Sequence, residues 1–126
     1  MGIAIGAGLV FVTESGNSRI QVFDLDGNYV RQWPVDVWEK GIDSYPDCVF
    51  DSQANRLYVT SGEAKDVIVF DADGNPIEGE SPNGNVKLNK PASIILSRAN
   101  AKTLFVLDIT DSRFEMIPLG PVKQKK

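Results

Sequence analysis

The amino-acid sequence predicts an all-β protein built from three copies of one antiparallel meander, and three observations carry that prediction. The segments VFVTESGNSRIQVF, LYVTSGEAKDVIVF and LFVLDITDSRFEMI begin at Val10, Leu57 and Leu104, a constant spacing of 47, and align over fourteen columns without a gap. Self-similarity at such a period marks stacked repeats, in which each unit covers its neighbour. Inside each copy the apolar residues form short runs rich in β-branched and aromatic types, and no segment shows helical periodicity. These runs are nearly all apolar, so both faces of the strands are expected to be covered.

The elements follow in order. Residues 2–5, 9–13, 19–23 and 29–35 form the first meander, with the turn formers of ESGNS between its second and third strands. Asp26-Gly27 is a hairpin signal, and FDLDGN at 23–28 returns as FDADGN at 70–75. In the second copy the strands are 47–51, 57–60 and 66–70, with a weaker outer strand at 76–80. The third copy has strands at 93–97, from Leu104 onward, and at 113–119, and its polar end 120–126 lacks an outer strand. Pro46 and Pro91 precede the first strands of the second and third copies. The linker 38–45 has room for one helical turn at most.

Four-stranded meanders covered on both faces by their neighbours describe the blades of a β-propeller. Blade 1 spans 1–42, blade 2 spans 43–89 and blade 3 spans 90–126, together one domain. VFVTESGNSRIQVFDLDGNYV at 10–30 resembles an NHL repeat, with its aromatic-Val-Thr-acid strand end, Asn-x-Arg-Ile turn and Val-Phe-Asp-x-x-Gly hairpin. The second copy replaces the Asn and Arg with GEAKDV; the third keeps Asp108, Ser112 and Arg113 but loses the Asp-Gly hairpin. The resemblance implies a propeller that is usually six-bladed, and it says little about function. Three blades leave one apolar face bare at each end, more than a soluble monomer tolerates. Two chains of three blades would make six. The expected partner is therefore a second copy, blade 1 of each chain packing on blade 3 of the other. The expected end faces are Ile3, Ile5 and the Val10 strand on blade 1, against Ile94, Leu104 and Phe114 on blade 3. A fragment of a longer NHL-repeat protein is the other reading of the repeat count.

Composition narrows the function classes. Of 126 residues, 42% are hydrophobic and 24% charged, ordinary values for a globular chain. No apolar run is long enough for a membrane helix, and the first eight residues lack the basic start of a signal peptide. There is no histidine, which removes the commonest general base and metal ligand. The single cysteine, Cys48, forbids an internal disulfide and is expected to be a small core residue. The net charge is −4, and three of the thirteen bases stand in the last four residues, in a PVKQKK end that reads as a solvated tail. An acidic body disfavours nucleic acid as a partner.

A non-enzymatic propeller is expected to bind a protein, peptide or small ligand on the face made by the second-to-third-strand turns and the linkers. That face offers Glu14, Ser15, Asn17 and Arg19; Glu63, Lys65 and Asp66; and Asp108, Asp111 and Arg113. The linkers add Glu39, Lys40, Asp43, Tyr45, Asn89 and Lys90. Asp47 opens an innermost strand and points toward a central channel. The competing structural reading has Asn17 holding its turn, with Arg19 and Arg113 in inter-blade ion pairs with Glu14 and Asp108. The enzymatic alternative is a metal-dependent, lactonase-like hydrolase with its site in the channel of a dimer. Resemblance to six-bladed gluconolactonase-like enzymes implies a Glu, Asn and Asp set there. Asp47 supplies one acid per chain, a low ligand density, so no metal or other cofactor is expected. Glycine falls too early in DLDGN and DADGN for an EF-hand loop, and the hairpin explains both. Trp33 and Trp38 flank the first linker, as outer packing or as an exposed aromatic spot.

Overall fold

The computed structural model describes residues 1–38, 46–77, 82, 87–99, 101–110 and 112–119. The chain is all-β, in three antiparallel sheets. The first sheet holds β1 (Gly2–Gly6), β2 (Leu9–Glu14), β3 (Arg19–Asp24) and β4 (Tyr29–Pro34) as an in-order meander. The second holds β5 (Cys48–Asp51), β6 (Arg56–Ser61) and β7 (Asp66–Phe70), and the third β8 (Pro91–Ser97), β9 (Thr103–Asp108) and β10 (Arg113–Pro118). A fourth strand was expected in the second sheet. Among the described residues it is reduced to one bridge, Phe70 with Pro76, and an Ile77 amide bonded to the Val69 carbonyl at 2.9 Å. Pro76 brings no amide to the ladder, which shortens the pairing there. The third sheet has three strands, without an outer one among the described residues. All of the expected helical turn at 38–45 except Trp38, the remainder of the 76–80 strand and the terminal tail lie outside the described residues.

The sheets stack face to face, and their first strands β1, β5 and β8 come closest. Small residues permit that approach. A Cβ on Gly2 would sit 2.7 Å from the Asp47 backbone, and one on Gly6 would sit 2.5 Å from the Phe50 ring. Farther out the sheets splay and large rings fill the gap: Trp33 of β4 packs on Phe70 of β7 with ring centres 5.6 Å apart, and Trp38 is buried in the same cluster. Small inside and large outside is a wedge, the blade geometry of a propeller.

The repeat shows which side each column faces. Phe11, Ile20 and Val22 point from the first sheet into the first junction, and Tyr58, Val67 and Val69 point from the second sheet into the second. From the opposite side, Leu57, Val59 and Phe70 enter the first junction, and Leu104, Val106 and Ile117 the second. One β6 strand thus feeds both clusters by strict alternation, which explains its unbroken apolar run. Ile94 and Leu104, expected on the bare face of blade 3, are instead buried in the second junction. The bare face carries Ile95, Phe105, Leu107, Phe114 and Met116. An inward residue in β8 must alternate with an outward one, and the pairing of Ile94 with Val106 sets which is which.

Candidate functional site

The turn between β2 and β3 is one turn of 3₁₀-helix, Ser15–Asn17, closed by Ser18 in the left-handed region. Lys65 and Ser112, each 47 residues farther on, adopt the same positive φ. A strained residue at the same place in every sheet belongs to the architecture, not to a single site. Antiparallel pairing places Glu14 opposite Arg19. The Arg19 Nε donates to Glu14 Oε2 at 2.9 Å, Gln21 donates to the same oxygen, and the Asn17 amide donates to Oε1 at 3.3 Å. The Arg19 hydrogen bond leads in holding the Glu14 carboxyl below its ordinary pKa, against partial burial. The Glu14–Arg19 pair lies within one sheet, which corrects the inter-blade pairing expected for it.

In the second sheet the equivalent turn brings up Asp66, which accepts the amide of Val67 at 2.7 Å. Asp66 also stands at one end of a groove of about 630 Å3 between β4 and β7, walled by Trp33 and Val35. Glu63, on the same turn, has both carboxylate oxygens shielded from water with no hydrogen-bond partner among the described residues. In the third sheet Asp108 is fully buried and accepts the amides of Asn89 at 2.7 Å and of Lys90 and Thr110 at 3.1 Å. Burial pushes its carboxyl up, but those three amides and the nearby Arg113 charge outweigh it and hold the pKa below the ordinary value. Asp108 thereby fastens the second linker to its sheet. Arg113 is exposed, and its Nε lies 2.9 Å from Glu115 Oε2. This ion pair too lies within one sheet, not between blades.

Asp47 is half-buried between the first strands of two sheets. Its Oδ1 accepts the Cys48 amide at 2.9 Å; its Oδ2 accepts the Ile94 amide at 3.1 Å and the Ser93 hydroxyl at 3.4 Å. The carboxylate on which the channel-metal reading depends is therefore bonded to blade 3. Among the described residues no three His, Cys, Asp or Glu side chains gather as a metal site would require. Cys48 is buried, and burial, helped by the Asp47 charge, pushes its thiol up to about 12, far from reactive. Asp111, Glu39, Lys40, Asp43 and Tyr45, also singled out by the sequence, lie outside the described residues.

Two polar features escaped the sequence. Asp51, fully buried at the end of β5, meets Arg98 at 3.0 Å and Lys102 at 2.7 Å, both from the β8–β9 turn. An acid ending an apolar strand was a visible signal, but its partners are 47 and 51 residues away. Thr13 is a buried hydroxyl that accepts the Gly2 amide at 2.7 Å and donates to the Pro46 carbonyl at 3.1 Å, tying blade 1 to the chain entering blade 2.

The structure brings Glu14, Asn17 and Arg19 together as one hydrogen-bonded group. It leaves Asp47, Asp66 and Asp108 apart, each bonded to backbone amides. No protein-family model matches the chain, and no curated protein is significantly similar to it.

Proposed function

We propose that the chain is a non-enzymatic interaction module of NHL-like propeller blades that works by presenting surfaces to a partner. One observation carries this reading. Columns buried in the two internal junctions are exposed on the outer sides of the first and third sheets: Ile3 and Ile5 are 64% and 66% exposed, and Phe114 and Met116 are 61% and 57% exposed. Contiguous apolar faces of this kind mark association surfaces. The turn face is the second surface of the reading, where a protein, peptide or small ligand is engaged. Glu63 supports it, since its shielded carboxylate has no hydrogen-bond partner among the described residues, and a ligand's donor would offset that cost.

Sedimentation velocity at micromolar concentration, repeated with an environment-sensitive apolar dye, tests the reading. The expected result is a mass above 13.8 kDa, or a monomer that binds dye and loses it in Phe114→Asp. A folded 13.8 kDa monomer that binds no dye overturns it.

A further inference from the structure

The outer edge of β7 is an unfinished ladder beside a groove. Ile77 donates its amide to the Val69 carbonyl at 2.9 Å, and the Asp71 amide donates to Asn75 on the same side. Backbone groups alternate along a strand, so those of Val67 and Val69 point to this edge, away from β6. Asp66 Oδ1 takes the Val67 amide at 2.7 Å. The Val67 carbonyl and the Val69 amide have no partner among the described residues. In the first sheet the same edge, that of β3, carries β4 from the Arg19–Pro34 pair to the Phe23–Tyr29 pair. The groove of about 630 Å3 runs along the β7 edge, walled by Trp33, Val35 and Val37 on blade 1 and by Ile68 and Phe70 on β7. That size suits a bound ligand. Both charged residues lining it, Asp36 and Asp66, are acidic, and both stand at its turn-face end. Trp33 is buried with an indole N–H that finds no acceptor among the described residues, a cost that an acceptor entering beside it would remove.

The repeat shows that the chain's own sequence suits this place poorly. Arg31, Trp33 and Val35, which serve the first sheet, are replaced 47 residues on by Glu78, Glu80 and Pro82. Two glutamates add like charge to an acidic groove, and a proline has no amide for a ladder. Resting on the interaction-module reading above, we infer that the groove takes an extended segment of a partner protein, apolar in its middle and basic at its C-terminal end. The segment adds to β7 as an antiparallel strand. Its backbone meets the Val67 carbonyl and the Val69 amide, and its apolar side chains lie on the Trp33 and Val35 wall. Antiparallel to β7, it runs toward the turn face, so its basic end reaches Asp66 and Asp36. Main-chain bonds hold the segment, and the two acids select its charge.

The probe is the capped peptide Val-Thr-Val-Arg-Arg, titrated into the 126-residue chain. Tryptophan emission reports binding, since Trp33 walls the groove and the peptide has no tryptophan. Hydrogen exchange read by NMR reports the strand edge. The expected result is saturable binding with a Kd of about 1 mM or tighter. It should be lost when both arginines become glutamates, and when every peptide amide is N-methylated. In the free chain the Val69 amide should exchange faster than that of Ile68, which faces β6, and the peptide should slow it. Asp36→Asn plus Asp66→Asn should weaken binding about fivefold, while asparagine still accepts the Val67 amide. No saturable binding, equal binding of the N-methylated peptide, or unchanged affinity in the double variant each overturns the proposal. A Val69 amide already protected in the free chain also overturns it, because the chain itself then covers the edge. Failure of the peptide with apolar dye still bound at the Phe114 face removes only the groove as a site. A monomer that binds neither peptide nor dye removes the interaction-module reading with it.

Discussion

Replacing Phe11 with Ala measures how much one blade junction contributes to stability. Phe11 has no exposed surface and stacks on Phe50 across the first junction, with 25° between ring planes. Removing a buried Phe ring costs about 3–5 kcal/mol, and the loss grows with the cavity that remains. Here much of the cavity remains, because β1 offers only Ala4 opposite Phe11, with Gly2 and Gly6 further along, and on the other side Val22 of β3 already packs in the same cluster. The ring pair adds about 1 kcal/mol. The expected cost is therefore within that range, about 4 kcal/mol, or a midpoint lowered by about 15 °C in a chain of this length. Calorimetry and urea titration at two protein concentrations measure it, with Phe105→Ala beside it. Phe105 occupies the same column but lines an open face, so its cost is expected to be clearly smaller than that of Phe11. A loss below about 1 kcal/mol at Phe11 would refute the junction as the source of stability. An equal cost at Phe105 would refute the assignment of the two rings to a packed and an open face.

Asp51→Asn should lower stability by about 3 kcal/mol, because it strips the counter-charge from Lys102 in a buried site while Arg98 keeps some water. Burial pushes the Asp51 carboxyl up, but hydrogen bonds from Lys102 and Arg98 and the Lys102 charge outweigh it, so the folded pKa lies below the unfolded one. Its stabilisation is therefore whole above about pH 5, fades as the unfolded chain takes up protons near pH 4, and is lost as pH falls through the folded value. Acid titration of stability should be shallower in the variant; an unchanged slope would count against the clamp. Gly27→Ala and Gly74→Ala form a matched pair, since both glycines sit at positive φ in equivalent hairpins. A Cβ at Gly27 meets nothing, whereas one at Gly74 lies 2.5 Å from the Trp33 ring. Gly27→Ala is expected to cost about 1 kcal/mol from the backbone alone, and Gly74→Ala clearly more by thermal denaturation. Equal costs would show that Trp33 does not press on the second hairpin.

The number of units, their period, their hairpins and all their strands except the expected outer strand at 76–80 were legible in the sequence, because these rest on local alternation and turn chemistry. Strand ends agree within a residue or two, and Asp-Gly formed the turns in both copies where it occurs. The repeat also indicated that core strands are covered on both faces, which holds for β6 and not for the outward faces of β2 and β9. It did not show which face goes to which neighbour. Ile94 and Leu104 were assigned to the wrong side of blade 3, since alternation gives two sets of residues and only packing says where each set points. The candidate site was legible as residue types on a turn face and illegible as contacts. Glu14 and Arg19 are five residues apart, and their pairing follows from one hairpin. Asp47, Asp51 and Asp108, besides an amide one or two residues on, each bond groups between 18 and 51 residues away, which the sequence does not place beside them. A carboxylate looks the same in the sequence whether it awaits a ligand or fastens two blades. The tertiary structure decides by the amides and cations it brings within hydrogen-bond reach.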